Sequence, residues 1–125
     1  MKLRDISIEA GSPITTEAYE KRLDALTSFN PLQESNDFCI TVLGLDNRSI
    51  QIVFAETNPK DLVIALKGCD KASIIKVLKN LSQRIAFMIM EDMDYCGSIP
   101  DNDIIEAQNR ISSIYMELKN TGHIV

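Results

Sequence analysis

From Leu45 onward the apolar residues fall three or four positions apart in short runs, and each run is bracketed by residues that start or stop helices. Asp46 is placed to cap a helix carrying Ile50, Val53 and Phe54 on one side and ending near Thr57. Asn58 caps the next, with Pro59 at its first position, Asp61 in its first turn and Gly68 just past its end. Asp70 opens a third helix with Ile74, Ile75, Val77 and Leu78 as its apolar members. Ser82 opens a fourth, which runs through Ile85, Ile89 and Met93 towards Gly97, a natural left-handed stop. After Pro100, Asp101 or Asn102 starts the longest, along which Ile104, Ala107, Ile111, Ile114 and Leu118 form a stripe that must pack on something. Helices joined by such short links predict a compact bundle or a short superhelix, with no sheet.

The first part of the chain has weaker periodicity. Thr16 to Phe29 reads as a helix with Tyr19, Leu23, Leu26 and Phe29 on one face, stopped by Asn30-Pro31. Ile6, Ile8 and Ala10 alternate as in a strand, but with no second strand to pair they are expected to be extended or disordered. The run from Phe38 to Leu45 fits a strand or a buried helix equally well by periodicity.

Composition narrows the function. With 45% hydrophobic and 25% charged residues in 125, the chain is expected to fold as one soluble domain without metals or disulfides. A net charge of -5 and the absence of a Lys/Arg cluster remove the source of phosphate neutralisation, so nucleic acid is not an expected partner. The start of the chain leads into no signal-like apolar stretch, and no run is long enough to cross a membrane, so a cytoplasmic protein is expected. Cys39, Cys69 and Cys96 are odd in number and widely spaced, as reduced thiols are. The single histidine, His123, lies near the C-terminus, and no paired cysteine spacing suggests a metal. No nucleophile–base pair, Gly-rich phosphate loop or cofactor motif is present, and Glu91-Asp92 diverge by about 100 degrees on a helix, so neither an enzyme nor a cofactor is expected.

Several stretches carry a family resemblance. Leu45-Asp46-Asn47-Arg48-Ser49-Ile50-Gln51 is similar to L-D-D-R-S-I-Q, and the segment from Asn58 to Gly68 to D-x-K-D-L-x-x-A-L-K-G. Asn80 to Ala86 resembles N-M-S-x-R-A-A, Glu106-Ala107-Gln108 matches E-A-Q, and the end resembles G-E-I-V. All five occur in order in the C-terminal domain of the flagellar rotor protein FliG, and the resemblance covers residues 40 to 125. It implies an all-α fold, a compact multi-helix bundle or short armadillo-like superhelix, over residues 37–125, with residues 1–36 an N-terminal extension carrying one helix at about 16–29. It also assigns Ile40 to Leu45 to a short helix leading into the domain.

In that family the domain belongs to the switch complex at the cytoplasmic base of the flagellar motor and meets the stator through charged residues on one helix. The resemblance places those charges on Lys67, Arg84, Glu91 and Asp92; a fifth, cationic position falls on Pro100. Phe87 and Met90 stand where many members carry charge, and the stripe Ile85, Ile89, Met93 leaves them pointing partly outward. They form a candidate apolar interface for the N-terminal helix of the same chain or for a second copy, as in a homodimer. The E-H-P-Q motif of the family's middle domain is absent and its M-F-V-F hinge is replaced by Asn36-Asp37-Phe38-Cys39, so a rotor ring built as by the full-length protein is not expected. Two functions follow. One is a motor switch or rotor-like domain touching the stator's cytoplasmic loop or other rotor proteins at the inner face of the membrane. The other is a diverged helical scaffold that binds elsewhere through Phe87 and Met90.

Overall fold

The computed structural model describes residues 2–3, 15–26 and 36–124, among which there are seven helices and no strand. They are α1 (Thr16–Asp24), α2 (Asp37–Thr41), α3 (Asn47–Ala55), α4 (Pro59–Leu66), α5 (Lys71–Lys79), α6 (Gln83–Tyr95) and α7 (Asp101–Asn120). α4 packs against α7 and α6, α3 against α7, and α5 lies between α6 and α1. The all-α expectation holds for the described residues.

Local chemistry sets most helix starts. The side chains of Asn58, Asp70 and Ser82 accept hydrogen bonds from the N–H groups of Lys60, Ser73 and Ile85, groups that have no partner inside the helix. Pro59 then costs nothing at the first position of α4. Asp46 occupies the same place before α3 with extended backbone but makes no cap bond; the Ser49 hydroxyl beside it holds its carboxyl below the usual range. Gly97 ends the link after α6 at φ +65°, a conformation that favours glycine.

α7 begins at Asp101, as the sequence reading has it, while the bounds of α2 and α1 differ. α7 is capped by Pro100, whose carbonyl accepts from Asp103 and Ile104 at 3.0 and 3.2 Å, so Asp101 lies inside the first turn with Asp103. There both carboxylates face the positive end of the helix. The helix expected from Ile40 to Leu45 runs instead from Asp37 to Thr41, because Asn36 accepts from the Cys39 N–H at 3.0 Å and fixes the start earlier. Residues 42–45 turn out of it, with Val42 and Leu43 both donating to the Phe38 carbonyl. The N-terminal helix is α1, ending at Asp24, with Tyr19 and Leu23 buried and Leu26 half-buried beyond it; Phe29, the Asn30-Pro31 stop and the Ile6-to-Ala10 segment lie outside the described residues.

The core runs through Phe54, Leu62, Leu66, Ile74, Leu78, Ile85, Ile89 and Ile111, all shut off from water. Interiors pack at crystal-like density, so helix approach depends on residue size. Gly68 shows this: a Cβ there would lie 2.5 Å from Ile104 Cγ2 and 3.0 Å from Gln108 Nε2. The glycine lets α7 cross the end of α4. Gln108, buried at that crossing, donates from Nε2 to the Ala65 carbonyl at 3.1 Å, and Asn36 Nδ2 donates to the Gly68 carbonyl at 3.1 Å. Both bond carbonyls at the end of α4, and that of Ala65 also accepts from the Gly68 N–H at 3.2 Å. Between α3 and α5, buried Asn80 accepts from Gln51 at 3.0 Å and donates to Asn47 and to the Lys76 carbonyl. No buried side-chain nitrogen or oxygen among the described residues lacks a partner.

Candidate functional site: the charged helix

α6 carries three of the four charges assigned by resemblance. Its inward face comprises Ile85, Ala86, Ile89, Met90 and Met93, a broader band than the stripe Ile85, Ile89, Met93. The helix is flanked by both α4 and α5, so a single row of apolar residues does not cover its contacts. Met90, expected to point partly outward, is therefore fully buried. Phe87 is half-buried, and the Arg22 guanidinium of α1 stands 4.1 Å from its ring centroid, a cation–π contact that brings the N-terminal helix of the same chain over this position.

Arg84, Glu91 and Asp92 are exposed, and none makes a hydrogen bond or ion pair among the described residues. Arg84 and Glu91, seven positions apart, lie nearly in line, two turns along one helix. Lys67 is placed differently: half-buried at the end of α4, its Nζ donates to the Met93 carbonyl at 2.9 Å. Met93 lies in the last turn of α6, where carbonyls lack helical partners, so this ammonium ties α4 to the negative end of α6. Pro100, at the fifth family position, is the α7 cap described above.

The charges on α6 oppose its own dipole. Arg84 sits in the first turn, at the positive end, while Asp92 and Asp94 sit in the last turn, at the negative end. A surface helix arranged for its own stability has the reverse order.

The thiols form a separate group. Cys39 and Cys69 are buried, Cys96 is exposed, and all three are free. The Cys69 thiol holds Cys39 down to about 6 against the pull of burial, helped by backbone groups at Asn36 and Asp70 and the Ser73 side chain. Cys69 is pushed up by the same neighbour and by burial, and its Sγ lies 3.3 Å from the Ala65 carbonyl oxygen. His123 is exposed, with Nδ1 2.8 Å from Thr121 Oγ1. Among the described residues no group of three His, Cys, Asp or Glu is placed to hold a metal, and no helix is long and apolar enough to cross a membrane.

The sequence reading missed Asn80 and Gln108 as buried structural residues. One signal was available: Gln108 falls on the apolar stripe between Ile104 and Ile111. It also missed an apolar cleft between α4 and α6, taken up below.

Comparison with known proteins bears on both the helix and its setting. A sequence profile of the FliG C-terminal domain matches residues 38–125. The flagellar motor switch protein FliG of Thermotoga maritima is 39% identical over 84 residues, 67% of this chain and 25% of the relative. Those of Borreliella burgdorferi and Bacillus subtilis are 41% and 37% identical, again over 67% of this chain and 24% and 25% of their own lengths. The chain thus spans about a quarter of the curated relatives it matches. With most of its length matched by the domain profile and with helices that fit it, the chain belongs to the FliG C-terminal domain family.

Proposed function

We propose that this chain is a motor switch domain of the flagellar rotor, a protein-interaction module rather than an enzyme, and that it meets the stator's cytoplasmic loop through Arg84, Glu91 and Asp92. Lys67 holds the end of α6 in place and lends positive charge beside it. The site of action is the cytoplasmic base of the flagellum, against the membrane's inner face. The observation that carries this reading is the row of exposed charges on α6, without partners among the described residues and set against the helix dipole, in a chain of the FliG family. Charges that do not stabilise their own helix are available to a partner.

Contacts between exposed charges weaken with ionic strength, because the Debye length is only about 8 Å at physiological salt. The stator's cytoplasmic loop is expected to retain this chain at low salt and release it at high salt, and Arg84→Glu is expected to abolish retention. Equal retention by the Arg84→Glu chain, or none at either salt, would end the proposal. Deletion of the chain is expected to impair swimming.

The scaffold reading, with Phe87 and Met90 as the contact, has one observation in its favour: Phe87 packs only partly against the core and has the Arg22 guanidinium over its ring. It rests on Phe87 alone, since Met90 is fully buried. Phe87→Asp decides it. A change in solution mass or in partner capture supports the scaffold; a soluble, equally stable protein of unchanged mass removes it, and with it a homodimer through this face.

A further inference from the structure

Beside the charged row, and sharing Asp92 with it, lies a cleft of about 730 Å³. One wall is α4, with Pro59, Val63 and Ile64; the other is α6, with Met88, Asp92 and Tyr95. Met88, Asp92 and Tyr95 are spaced by four and three positions and so share one face of α6. Ile99 and Pro100 close one end of the cleft, and Asp103 of α7 stands on the rim. A volume of this size suits one or two side chains, and the lining is mainly apolar. Tyr95, which also lines the cleft, is 93% exposed, a large aromatic ring held in water among the described residues.

Charge selects the occupant. Between Arg84 and Arg110 the sequence has six carboxylates, on Glu91, Asp92, Asp94, Asp101, Asp103 and Glu106, and no Lys, Arg or His. Two of them line the cleft, where the only cation is Lys60. An anionic lipid surface or an acidic peptide is repelled from such a mouth, and a wholly apolar segment leaves the rim carboxylates without partners.

We infer that the α4–α6 cleft is a docking site for a basic amphipathic segment of a partner protein, which inserts an apolar side chain between Val63 and Met88 and lays arginine or lysine against Asp92 and Asp103. Tyr95 folds over the inserted side chain, as aromatic anchors do at interfaces. The site lies next to the charged row but recognises a different feature, an apolar anchor with flanking cations.

The test uses the full chain and three labelled peptides: one alternating leucine and arginine, one with glutamate for arginine, and one with serine for leucine. The leucine–arginine peptide is expected to bind and to shift the amide resonances of Val63, Met88 and Tyr95, while the other two do not. Tyr95→Ala is expected to weaken it about fivefold with an unchanged thermal melt, since its ring is exposed, and Asp103→Asn about threefold with a small drop in melting temperature, since it also removes a carboxylate from the first turn of α7. Binding of the glutamate or serine peptide with equal affinity, shifts confined to other helices, or no binding because the chain's own residues or a second copy fill the cleft, each overturns the inference. Stator retention and peptide binding are read separately, so the loss of one with the other intact shows which proposal has failed.

Discussion

Two groups of residues in this molecule behave in opposite ways. At the α3–α5 and α4–α7 junctions, Asn47, Gln51, Gly68, Asn80 and Gln108 meet one another or a neighbouring backbone at van der Waals or hydrogen-bond distance. On α6, Arg84, Glu91 and Asp92 face water and meet nothing among the described residues. The first group is explained by the fold alone, since removing any of them leaves a collision or an unpaired polar group. Only the second group is left for a partner.

The contrast can be broken by mutation. Gly68→Val is expected to have the largest effect, about 3 kcal/mol lost in denaturant unfolding, because its Cβ alone drives into Ile104 Cγ2. A valine protein as stable as the parent would mean that α4 and α7 separate freely. Asn80→Leu is expected to lose about 2 kcal/mol, leaving Gln51, Asn47 and the Lys76 carbonyl short of a partner. Gln108→Leu, which keeps the apolar bulk and removes one of the donors to the Ala65 carbonyl, is expected to lose roughly 1 kcal/mol in the same assay. On α6 the sign reverses. Asp92→Asn is expected to stabilise the fold by roughly 0.5 kcal/mol at low salt, a gain that fades as salt is added, since it removes a negative charge from the negative end of the helix. A destabilised Asp92→Asn protein would place Asp92 with the structural group.

These differences also explain what could be read in advance. The starts of α4, α5 and α6 were legible because their caps act within three residues of themselves: Asn58 on Lys60, Asp70 on Ser73, Ser82 on Ile85. The start of α2 was not, because Asn36 is held at once by Cys39 and by the distant Gly68 carbonyl. Burial of Met90 was missed because a helix flanked on two sides buries more than one stripe, and the number of neighbours is a tertiary fact. Asn80 and Gln108 read as surface polar residues until their partners, 29 to 43 positions away, are in place. The charged positions came from resemblance; which of them face solvent came only from the packing of α4, since Lys67 looks like its companions in sequence and is tied to Met93 in space.

The reversed charge order on α6 has a further consequence. Arg84 and Asp92 are eight residues apart, about 12 Å along the axis, and their charges add to the peptide dipoles instead of cancelling them. The helix then acts as a small permanent bar of fixed polarity. A partner carrying a complementary pair feels a torque as well as an attraction once it comes within a Debye length, and is turned before it touches. Such a helix selects the direction in which a neighbour lies across it, and reversing that direction by exchanging Arg84 and Asp92 costs the fold nothing.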